Sequence, residues 1–119
     1  MANGIDWAGY GFIPLGHNDG HFIRGPGVFA FVRRQPDDER VMLFVDHADY
    51  IAGAAGPGHA AWAEALRLGM NELHVFLKPA KRIDRLLIRG HLIKRCGPLL
   101  NVLEEAATPD WERRWRGVA

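Results

Sequence analysis

Two apolar runs constrain this chain more than any other feature: Val28-Phe29-Ala30-Phe31-Val32 and Val41-Met42-Leu43-Phe44-Val45. Both are rich in β-branched and aromatic residues and apolar at nearly every position, so both read as strands. A strand that is apolar on both sides needs cover on both sides. Between the runs lies Gln35-Pro36-Asp37-Asp38-Glu39-Arg40, a polar segment with turn chemistry, and the pair therefore makes a hairpin. Leu73-His74-Val75-Phe76-Leu77 supplies a third strand that stops at Lys78-Pro79.

The cover must come from helices. Pro57 suits a first helical turn and Gly69 the position just past a last one. Between them Trp62, Ala65 and Leu66 share a face to bury. A second helix is expected from about Lys81 to Cys96, with Ile83, Leu86, Leu87 and Ile93 toward the sheet and Gly97-Pro98 as its stop. A short helix over 108–117 starts at Thr108-Pro109-Asp110, where Thr108 can cap and Pro109 fits the first turn. Its Trp111 and Trp115, four apart, lie on one side. Residues 1–26 are glycine-rich and predict a packed, irregular arm, with one short strand on each side of His17-Asn18-Asp19-Gly20. The expectation is a single α+β domain over 1–119: a small three-stranded antiparallel sheet flanked by helices, with an N-terminal arm and a short C-terminal helix.

A chain of 119 residues can bury one core without staples. Its net charge of +1 gives no bulk-charge argument for nucleic acid, so any such argument must rest on how the charge is distributed. The one cysteine, Cys96, cannot form an internal disulfide. At the end of a basic helix it reads as a structural thiol, since that end of the helix dipole is negative. The N-terminus has no signal-peptide pattern and no stretch reaches a membrane span, so a soluble cytoplasmic protein with no membrane partner is expected.

Leu92-Ile93, followed by Pro98 and by Asn101 three residues later, ends the second helix in a pattern that resembles the close of the GIY-YIG nuclease domain. The order hairpin, helix, strand, helix is similar to that family's three-stranded sheet with flanking helices, over residues 27–101. Gly27-Val28-Phe29 resembles the Gly-Ile-Tyr motif, with Phe29 in place of the tyrosine whose phenol takes part in activating the attacking water. Phe44-Val45-Asp46 resembles Tyr-Ile-Gly, again with phenylalanine for tyrosine, and with Asp46 where the family keeps glycine. The position that carries a phosphate-steadying arginine in many family members is Ala54 here. The position of the metal-binding glutamate is Arg89. The resemblance implies a divalent ion held by that carboxylate. A guanidinium there repels it: at about 4 Å and an effective dielectric near 20, two like unit charges cost roughly 4 kcal/mol. No catalytic residues, metal or cofactor are therefore expected; of the polar motif positions only Asn101 survives, to touch a ligand or to cap the turn.

Arg82, Arg85 and Arg89 recur at three- and four-residue spacing on one helix face, with Lys78, Lys81 and Lys94 near. This is either a phosphate-binding stripe or a solvated helix face. His17, Asp19 and His21, and likewise Asp46, His47 and Asp49, have ligand chemistry without a recognised metal spacing. His74, within an apolar strand, reads as a hydrogen-bonded core or edge residue. Trp111 and Trp115 either pack back on the domain or anchor a partner. The leading expectation is thus a noncatalytic domain that binds DNA, RNA or another polyanion through Arg82, Arg85, Arg89, Lys94 and Asn101. The alternatives are an interaction or accessory subunit, binding a protein partner or its own copy through the Trp helix, and a divergent metal-dependent hydrolase using the histidine and aspartate clusters.

Overall fold

The computed structural model describes residues 4–107. The expected helix over 108–117, with Trp111 and Trp115, lies outside the described residues.

The chain is α+β, but its antiparallel sheet has five strands where three were expected: β1 (Ile5–Trp7), β2 (Tyr10–Gly16), β3 (Gly27–Arg34), β4 (Arg40–Ala48) and β5 (Glu72–Phe76), in the order β1-β2-β5-β3-β4. The expected hairpin is β3–β4, and the expected third strand, β5, pairs with β3. The two added strands come from the glycine-rich arm. Ala8 (φ 54°) and Gly9 (φ 94°) form a two-residue hairpin turn between Trp7 and Tyr10, both in the left-handed region that such turns require. β2 pairs with β1 through Tyr10–Phe12 and with β5 through Ile13–Gly16. Among the described residues no strand lies on the other side of that half of β2, so Pro14 is tolerated there. Of the two short strands expected around His17-Asn18-Asp19-Gly20, the one before it is β2, and in place of the one after it comes a 3-10 turn, Gly20–Phe22.

The central strand β3 is buried along Gly27–Val32, as a two-sided strand must be. Phe29 and Phe31 face a core made with Phe44, Ile51, Trp62, Leu73 and Val75, covered by α1 (Ile51–Ala54) and α2 (Trp62–Arg67). Val28, Ala30 and Val32 face a second core with Phe12, Val45 and Leu92, covered by α3 (Arg82–Cys96). The helix expected between Pro57 and Gly69 is the shorter α2, which Pro57 precedes in a turn, and α1 is an added helix in the Gly/Ala-rich segment before it; Gly69, at φ 95°, does follow the helix end. Leu66 points outward while Trp62 and Ala65 pack.

α3 has the expected bounds and stop, with Gly97 left-handed at its C-cap, but it is rotated. Ile83 (55%) and Leu87 (66%) are exposed, whereas Arg85 (1%) and Leu92 (0%) are buried. The reason lies on β4 and just beyond it: Asp46 and Asp49 face this helix and pair with Arg89 and Arg85. Ion pairing and the packing of arginine stems outweigh the apolar stripe. The chain then re-enters helix as α4 (Leu99–Ala107), so Asn101 sits in a helix rather than in a turn. Among the described residues no helix is long and apolar enough to cross a membrane.

Candidate functional site

Phe29, Phe44, Arg89 and Asn101 do gather around one stretch of β4, but the place is filled. Phe29 and Phe44 are buried on the α2 side of the hairpin. His59, in the loop before α2, lies edge-on to Phe29, Phe31 and Phe44 at centroid distances of 5.7, 5.5 and 5.1 Å. The Ala61 N–H donates to His59 Nδ1 at 3.0 Å, which assigns the ring proton to Nε2; that nitrogen donates to Asp46 Oδ2 at 3.0 Å. Both ring nitrogens are thus occupied within the protein. Asp46 Oδ1 accepts the His47 N–H at 2.8 Å, and Arg89 Nε stands 3.4 Å away, near enough for an ion pair though not aligned as a hydrogen bond. Burial alone would raise the Asp46 carboxyl; His59, the His47 N–H and Arg89 together outweigh it and hold the group below the usual range. Arg89 also lies 3.9 Å from Glu104.

Asn101 is 3% exposed, and its amide is spent on the edge strand. It accepts the Val45 N–H at 2.8 Å and donates to the Val45 carbonyl at 2.9 Å. Ala54 is half-buried in α1. Above Phe44 and His59 a cleft of about 360 Å³ opens between α2 and α4, walled by Leu100 and Leu103 and rimmed by Glu64 and Glu104. Such a rim disfavours a phosphate.

Basic character concentrates elsewhere, at the sheet end formed by the start of β3 and the ends of β4 and β5. Lys78, Lys81 and Arg82 are exposed there. Arg85 lies beneath them, donating to the Ala80 carbonyl and the Asp49 carboxylate. The half-buried His47 pairs in register with Val28 at the same end. Burial is the main force pushing its imidazole below its usual range, and the charges of Arg85, Arg82 and Arg89 add to it against Asp46. Lys94 is exposed three turns along α3. The expected stripe is therefore divided: Arg82 and Lys94 reach solvent, Arg85 does not, and Arg89 is only 26% exposed and ion-paired. At the opposite end the cations are paired: Arg34 with Asp38 at 2.7 Å and Arg40 with Glu72 at 2.8 Å.

The two histidine and aspartate groups weighed as alternative ligand sets come apart. His17 and His21 meet the backbone carbonyls of Asn71 and Asn18, and Asp46 and Asp49 take different arginines. Among the described residues no three His, Cys, Asp or Glu side chains are gathered to hold an ion. His74 is fully buried, accepting from Trp7 Nε1 at 3.0 Å and meeting Glu72 at 2.9 Å. Cys96 is half-buried, and burial pushes its thiol up.

Sequence reasoning overlooked His59. A lone histidine in a Gly/Ala-rich loop carries no spacing signal, and its partner Asp46 lies 13 residues away. The partners of Arg85 and Arg89 were noticed only as metal-ligand types. No family model, curated protein or solved structure matches this chain.

Proposed function

We propose that this is a noncatalytic domain that binds a phosphate-bearing polyanion, DNA or RNA first among them, at its basic sheet end. The observation that carries the binding half is the exposed group Lys78, Lys81 and Arg82, with Arg85 held beneath it. Clustered cations of this kind drive association by releasing counterions from the phosphate backbone. Beside Lys78 a groove of about 420 Å³, lined by Tyr10, Phe76, Leu87 and Ile88, has room for a stacked base.

The noncatalytic half is supported by the Asp46–Arg89 pair. Under the GIY-YIG-like reading, the glycine and glutamate positions have become a carboxylate and a guanidinium that neutralise each other, roofed by His59. Neither Phe29 nor Phe44 has a group to exchange a proton. The gathering of Phe29, Phe44, Arg89 and Asn101 around one strand favours that reading of ancestry, and the two extra strands depart from it.

The test is fluorescence anisotropy with labelled single- and double-stranded oligonucleotides across a salt series, alongside plasmid incubation with magnesium. Three surface cations should give a log–log salt slope of about −2 to −3. The double substitution Lys78→Glu, Arg82→Glu should abolish binding, and the plasmid should stay intact. Salt-insensitive or absent binding removes the first half of the proposal; nicking of the plasmid removes the second.

One observation favours an interaction subunit as a second reading. Leu99, Val102 and Leu103 on α4 are 45, 46 and 54% exposed at helical spacing, an apolar stripe suited to a partner. Sedimentation of wild-type protein and a Val102→Glu, Leu103→Glu variant distinguishes the two: self-association lost in the variant supports this reading.

A further inference from the structure

The side chain of Arg85 is 1% exposed, while its counter-ion Asp49 is 86% exposed. A buried cation is thus neutralised by a carboxylate that stands almost wholly in water. The pairing is also incomplete. Arg85 Nη1 donates to the Ala80 carbonyl and Nη2 to Asp49 Oδ1, whereas Nε, on the same edge of the guanidinium as Nη2, has no partner. Four buried side-chain nitrogens among the described residues lack a hydrogen bond, and three of them, on Arg85, Arg89 and His47, lie on α3 and the facing end of β4. A buried donor without an acceptor weakens a fold, so such a concentration calls for a ligand chemistry that would satisfy it.

We infer that Arg85 is the centre of an oxyanion seat in which Asp49 is a resident, displaceable occupant, and that one phosphate group takes its place, bridging the Nε–Nη2 edge of Arg85 and His47 Nδ1. The seat rests on the polyanion reading above and names where one of its phosphates goes. An arginine edge matches a tetrahedral phosphate bidentately, using both donors where Asp49 uses one. Asp49 can swing out at little cost because its carboxylate is already hydrated. His47 can turn its tautomer to donate from Nδ1. Arg82, exposed one turn before Arg85, supplies a further positive charge at the entrance. Asp49 in this role makes the seat self-inhibited: any phosphate must compete with it.

The test is a titration of the ¹⁵N-labelled full chain with inorganic phosphate at constant ionic strength, with chloride as the control anion. The Arg85 Nε–H and the His47 ring nitrogens should shift together and saturate at one phosphate per chain. Asp49→Asn, which removes the competing charge, should tighten phosphate binding about tenfold or more, and His47→Ala should weaken it by a similar factor. Because Asp49→Asn also deprives a buried cation of its partner, melting curves provide a second measurement: phosphate should raise the melting temperature of that variant more than that of the wild type. Unchanged affinity in Asp49→Asn, or a silent Arg85 Nε–H, overturns the inference. Oligonucleotides with 5′-phosphate and 5′-hydroxyl ends separate two sources of the group. A shift at Arg85 with both supports a backbone phosphodiester, and a shift with the phosphorylated end alone supports a terminal monoester. Salt-dependent oligonucleotide binding with Arg85 silent overturns the seat and leaves the basic-end proposal standing. Phosphate shifts at Arg85 without oligonucleotide binding support the seat and overturn the nucleic-acid reading.

Discussion

Asn101→Ala separates a structural from a ligand-binding role at Asn101. In the folded protein its amide pairs with both outward backbone groups of Val45, at 2.8 and 2.9 Å, and Val45 is fully buried. Removing the amide strands one N–H and one C=O on the edge strand. Each such group costs about 1–3 kcal/mol, which sets a range of roughly 2–6 kcal/mol. A water entering the space left by the amide would recover part of it, so the expected loss is the lower half, about 2–4 kcal/mol. For a domain of this size that is a fall in melting temperature of roughly 10 °C. Urea denaturation followed by tryptophan fluorescence and circular dichroism measures it. Asn101→Asp sharpens the test. One oxygen still accepts the Val45 N–H, but the other opposes the Val45 carbonyl unless protonated. Its folded pKa is therefore raised, so the variant should be weak at neutral pH and recover as pH falls through that raised value. A loss below about 0.5 kcal/mol in Asn101→Ala, together with weakened ligand binding, would refute the strand-capping role.

Three further outcomes follow from the same geometry. Burial pushes His47 and His74 below their unfolded value of about 6.5, so their contribution is complete above that value and is lost as pH falls through the lowered folded values; urea midpoints should drop as pH falls below about 6.5, and His74→Gln should flatten the profile. Arg89→Glu brings a third carboxylate beside Asp46 and Glu104, which should destabilise the fold by about 1–3 kcal/mol and create a stabilising response to millimolar magnesium that calorimetry would not find in the wild type. Trp7→Phe keeps an aromatic ring but removes the pyrrole part of the indole with the Nε1–H donated to His74 Nδ1, costing about 1–3 kcal/mol because the acceptor is buried and packing is lost, and displacing the His74 ring-nitrogen resonances.

The parts of the fold that were legible in the chain were those written in side-chain burial. Val28–Val32 and Val41–Val45 announce two-sided strands, and Gly97-Pro98 announces a helix stop. A strand before His17 was legible, but its extent was not, because Gly11, Pro14 and Gly16 interrupt it, and β1 was hidden because its turn uses Ala8, a residue with no reputation for positive φ. α4 hid behind Pro98, read as a terminator when it also opens the next helix. The face of α3 was misjudged for a different reason. Apolar periodicity assumes that arginine points outward, and here two acids in and just after β4 pull Arg85 and Arg89 inward. At the site, Phe29, Phe44, Arg89 and Asn101 lie around one strand, but their occupancy was not visible in the sequence: whether a polar side chain meets solvent or its own backbone depends on contacts such as Asn101 to Val45, 56 residues apart.

β4 is the last strand of the sheet, and an open edge offers unpaired backbone groups to other chains. In this protein Asn101 covers the middle of that edge, and two arginines of α3 pair with acids at and beyond its end. Asn101 pairs with Val45, Arg89 stands against Asp46, and Arg85 takes Asp49 just beyond the strand. A carboxylate at position 89 would turn attraction into repulsion on both of its sides, so a metal-binding version of this surface would need a different residue at 46 as well. Asp46 and Arg89 are coupled through one ion pair: the aspartate makes the guanidinium favourable, and the guanidinium makes the aspartate tolerable on a half-buried strand. That coupling leaves the exposed end of α3, whose cations are not consumed in closing the edge, as the surface with charge to spare for a polyanion.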